Sequence, residues 1–128
     1  MELAQARSLY ELMMLTAWAD GRLEASETLV ADALRSELPE LHNLGDHAAL
    51  ADSAKARLQK LGLKRALTEV AAPLRDPADR ELAFVCCARV LEADGIIAKE
   101  EFQVLAALKA LFGFGSEDVA RLLRRAAE

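Results

Sequence analysis

The chain is poor in the residues that staple, bind or punctuate a fold. It has two cysteines, Cys86 and Cys87, and they are sequence neighbours. Neighbours on a helix project about 100° apart, so they are poor disulfide partners. Two small buried thiols in a reducing cytoplasm are expected instead. The two histidines, His42 and His47, flank one loop. No third ligand stands at a suitable spacing, and zinc needs at least three from the protein, so they read as solvated loop residues. No apolar run approaches the ~20 residues of a membrane helix. The longest, residues 83–88, is stopped by Arg89, so no membrane insertion is expected. The opening residues, Met1 to Arg7, lack a basic segment followed by an apolar one, and no secretory leader is expected. Cations are outnumbered, 16 Lys and Arg against 21 Asp and Glu, for a net charge of −5. That balance argues against nucleic acid as the main ligand and against adsorption to an anionic membrane. Also missing are a Gly-rich phosphate loop, a His-Glu-x-x-His and a Gly-x-Ser-x-Gly. No nucleophile–base arrangement emerges, and no enzyme is expected.

What is present is helix-forming. Hydrophobic residues make up 53% of the chain and aromatic ones only 5%, so Ala and Leu must build most of the core. A chain of 128 residues makes one domain, 1–128, with a real core. The expected fold is all-α, a single compact bundle of about seven helices. Periodicity and breakers place them at 2–19, 25–38, 46–61, 63–74, 77–93, 99–112 and 117–127. Pro39 closes the second and Asp76-Pro77 opens the fifth. Pro73 falls in the last turn of the fourth, and Ser116 is the expected cap of the last. Residues 82–91 are apolar nearly all round, which predicts that the fifth helix sits at the centre.

One stretch occurs twice. Ala19-Asp20-Gly21 is followed by Leu23 and Glu27, and Ala93-Asp94-Gly95 by Ile97 and Glu101. The pattern Asp-Gly-x-aliphatic-x-x-x-Glu matches the second half of an EF-hand loop. The first half is wrong: Thr16 and Trp18 precede Asp20, and Val90 and Glu92 precede Asp94, where oxygen ligands are required. A true EF-hand is therefore rejected. The remainder is a pair of acidic helix–turn–helix corners. Val30 and Leu34 match Val104 and Leu108, so an approximate internal two-fold is expected, helices one and two resembling five and six, with three and four inserted.

Two copies of Ala-Asp-Gly-x-aliphatic-x-x-x-Glu in an all-helical chain resemble the tellurite-resistance TerB-like family. The apolar helix before the second copy, the ending Leu111-Phe112-Gly113 and the tail Gly115-Ser116-Glu117-Asp118-Val119 fit as well. The resemblance implies a stress-response domain whose acidic residues hold a divalent metal. By position these are Asp20, Glu27, Asp94 and Glu101. Ala98 stands where Glu24 stands, so the extra acids are not symmetric. Carboxylates alone favour Ca²⁺, Mg²⁺ or Mn²⁺ over a soft ion. The same acids also suit helix and turn capping with no ion, which leaves a protein-binding adaptor as the alternative. Lys55, Arg57, Lys60, Lys64 and Arg65 then form either a solvated face or a contact for an acidic partner.

Overall fold

The computed structural model describes residues 1–19, 25–92 and 99–128, with backbone alone for 25–30 and 99–101. Among the described residues there are seven α-helices and no strands, which is the all-α bundle expected. They are α1 (Leu3–Ala17), α2 (Ala25–Glu37), α3 (His47–Leu61), α4 (Leu63–Ala71), α5 (Pro77–Leu91), α6 (Lys99–Phe112) and α7 (Ser116–Ala127). A 3-10 turn, Pro39–Leu41, follows α2.

Local chemistry explains the boundaries. Asp46 caps α3 by accepting from the Ala49 N–H at 3.1 Å. Asp76 caps α5 by accepting from the Ala78 N–H at 2.8 Å, with Pro77 in the first turn. Gly62 joins α3 to α4 at φ +82°, a left-handed conformation that side chains resist. Helices α1 and α5 each end two residues before the expected 19 and 93, and two further boundaries move for a local reason. Helix α4 stops at Ala71 instead of residue 74, because Pro73 disfavours helix at the residue before it. Helix α7 is capped at Gly115, not Ser116: the Asp118 carboxylate accepts from the Gly115 N–H at 3.0 Å.

The centre is a pair of helices. Helix α1 packs on α2, α3, α4 and α5, and α5 packs on α1, α2, α6 and α7. All residues of α1 from Leu9 to Ala17 are buried, so the single central helix expected becomes two. The polar residues of α1 hid this. Thr16 is fully buried and its hydroxyl donates to the Leu12 carbonyl at 2.7 Å, which satisfies it within the helix. Glu11 is only 9% exposed, and its Oε1 has no hydrogen-bond partner among the described residues. In α5, Phe84 is fully buried and meets Phe114 edge-on at 5.6 Å. Phe114 therefore folds back onto the core from the Gly113–Gly115 turn.

Candidate functional site

Asp20, Glu27, Asp94 and Glu101 lie outside the residues whose side chains are described. Their helical frame is nevertheless defined. Helix α1 ends at Ala17, three residues before Asp20, and α5 ends at Leu91, three residues before Asp94. Glu27 is the third residue of α2 and Glu101 the third of α6. The two halves keep one offset of 74 residues: Pro77 after Leu3, Leu91 after Ala17, Lys99 after Ala25. Each copy of the motif thus falls in sequence between the end of a central helix and the first turn of the next helix. Helix α1 contacts α2, and α5 contacts α6.

Around the corners, Trp18 is the C-cap of α1, and its backbone N–H donates to the Met14 carbonyl at 3.1 Å. Its side chain is 9% exposed, which makes it a packing residue. Glu92, the C-cap of α5, is exposed. Elsewhere, and among the described residues only, no group of three or more His, Cys, Asp or Glu converges as a metal site. The histidines are separately engaged. His42 is exposed and its Nε2–H donates to the Ser36 carbonyl at 2.7 Å, while His47 meets the Tyr10 ring edge-on at 6.3 Å.

Cys86 and Cys87 are free and buried. Burial pushes both thiols up to about 12; the Arg89 charge opposes this for Cys86, and a Thr16 hydrogen bond for Cys87. Neither is a reactive thiolate near neutral pH.

The basic group is solvent-facing. Lys55, Lys60, Lys64 and Arg65 are exposed and Arg57 is half-buried. None of the five is ion-paired among the described residues. Arg57 and Lys60 line a shallow groove of about 360 Å³ with Ser53, Leu61 and Glu69. Sequence reasoning missed a second surface, between α4 and α6. Its signal was the row Phe102, Ala106, Ala110, at helical spacing on the side of α6 away from Val104 and Leu108.

An all-helical bundle with a central helix pair, in a chain that carries the Ala-Asp-Gly motif twice, defines the class of protein. A family model described as tellurite resistance protein TerB matches residues 6–125. The chain belongs to the TerB family. No match was found among curated proteins or solved structures.

Proposed function

We propose that this chain is a non-enzymatic stress-response domain of the TerB family that binds one divalent cation through Asp20, Glu27, Asp94 and Glu101. The observation that carries the reading is the doubled motif, set on one 74-residue offset shared by the helices around it. Four carboxylates brought together repel one another, and a hard cation relieves that repulsion. The donor set is oxygen only, which fits Ca²⁺, Mg²⁺ or Mn²⁺. The reading includes an approximate two-fold relating α1–α2 to α5–α6. Packing supports extending it, since α1 also contacts α3 as α5 contacts α7. That leaves α4 as the inserted helix, a narrower insertion than α3 plus α4. A cytoplasmic setting agrees with the two free thiols.

A second reading has its own observation. Asp46, Asp76 and Asp118 all act as helix caps in this fold, so the corner acids can do the same without an ion. The domain is then an adaptor for another protein. Calorimetric titration with Ca²⁺, Mg²⁺, Mn²⁺ and Zn²⁺ separates the two. The cation reading expects saturable binding of a hard ion that Asp20→Asn/Asp94→Asn abolishes. Identical flat traces from both proteins leave capping and the adaptor.

A further inference from the structure

A shallow groove runs between α4 and α6. One end, of about 260 Å³, is lined by Leu63, Lys64, Leu67, Gln103 and Ala107. The other, of about 230 Å³, is lined by Thr68, Ala71, Arg80, Leu111 and Phe112. Residue numbers rise together along both walls, so the two helices run parallel. On α6, each preceding a groove-lining residue in sequence, Phe102, Ala106 and Ala110 are exposed one turn apart, and Phe102 is 60% exposed. Burying so large an apolar side chain is favourable, and this fold leaves that gain unused.

The charged groups that line the groove have one sign. Lys64 stands at one end and Arg80 at the other, and no carboxylate lines either part among the described residues. Arg80 is held in place. Its Nε donates to the Leu74 carbonyl at 2.8 Å, and its guanidinium lies 5.7 Å from the Phe112 ring centroid. Its terminal nitrogens have no carboxylate partner among the described residues. Exposed Arg65 on α4 and Arg75 in the connection to α5 add the same sign nearby, while Glu69 of α4 lines neither part of the groove. This cationic rim belongs to a chain whose net charge is −5.

We propose that the α4–α6 groove receives a helix of a partner protein, apolar on one face and bearing carboxylates at both ends of that face. The apolar floor supplies area and the two cations fix register and direction. From Lys64 to Ala72 the chain takes eight helical steps, about 12 Å, so two to three turns of a partner helix fill the groove. A second copy of this chain is the poorer occupant. A symmetric pair on this face sets like cations against each other, which is repulsive. The inference rests on the interaction reading and does not need the cation, so calorimetry at the corners and binding at the groove fail independently.

The test uses the full isotope-labelled chain and two synthetic helical peptides of about 12–15 residues. Both carry the same leucine face, one flanked by Glu and the other by Lys. The Glu peptide should shift the amides of Leu63, Leu67, Gln103, Ala107 and Leu111, with an affinity that falls as salt rises. The Lys peptide should bind at least about tenfold more weakly. Lys64→Glu, at an exposed position, should narrow that preference, and Phe102→Ser should weaken both peptides. Equal affinity for the two peptides, shifts confined elsewhere, or no binding of either overturns the proposal. Peptide-free self-association through the same amides also overturns it, in favour of a second copy.

Discussion

Helix pairs α1–α5 and α4–α6 are both apolar where they touch, yet only the first is covered. Helices α1 and α5 are each packed by four others, so even Thr16 and Glu11 are drawn inside. Helix α6 is packed by α4 and α5, and its Phe102, Ala106 and Ala110 stay in water. Position in the bundle, rather than the pattern on a single helix, decides which apolar faces are buried. A covered apolar face stabilises the fold, and an uncovered one is available for a partner.

The largest expected effect contrasts two phenylalanines. Phe84→Ala removes a fully buried ring from α5 and should cost about 3–5 kcal/mol in urea unfolding. Phe102→Ala, on the open face of α6, should change stability by no more than about 0.5 kcal/mol. Similar costs for the two would break the comparison.

The buried thiols give the central pair an alkaline limit. Both are raised from 9.0 to about 12 in the folded chain, mainly by burial. The folded state keeps protons that the unfolded state releases, so this contribution is complete below pH 9 and is lost as pH rises toward about 12. Denaturant midpoints measured across that range should fall with pH, and less so in Cys86→Ala/Cys87→Ala.

Smaller effects follow. Asp76→Ala removes the cap of α5 and should cost about 1 kcal/mol. Glu11→Met replaces a buried carboxylate oxygen that lacks a partner, and should leave stability unchanged or raise it by about 1 kcal/mol. A loss greater than about 1 kcal/mol would mean that Glu11 is satisfied in solution. The smallest effect belongs to Arg121→Ala, which breaks an exposed 2.9 Å pair with Glu81 and should leave the melting temperature where it was.

Much of the architecture was legible because breakers and caps are local signals. Asp76-Pro77, Pro39 and Gly62 each mark a boundary through their own backbone chemistry. The errors came where a neighbour decides. Pro73 ended α4 through the residue before it, and Asp118, three residues on, capped Gly115 in place of Ser116. The burial of α1 was illegible because Thr16 satisfies itself on Leu12, so a polar letter hid a core position. The α4–α6 groove was illegible because coverage depends on which helices lie adjacent, and no single helix pattern encodes that. Of the candidate site, the doubled motif and its helical register were legible. The separation of its carboxylates is a tertiary property that spacing does not specify.

The corners are the centre of the functional account, and manganese tests them most directly. One equivalent of Mn²⁺ added to the isotope-labelled chain should broaden amides flanking both corners together, near Ala19 and near Lys99. The broadening should disappear in Asp20→Asn/Asp94→Asn. Broadening at one corner alone, or the same broadening in the double variant, would contradict a shared cation.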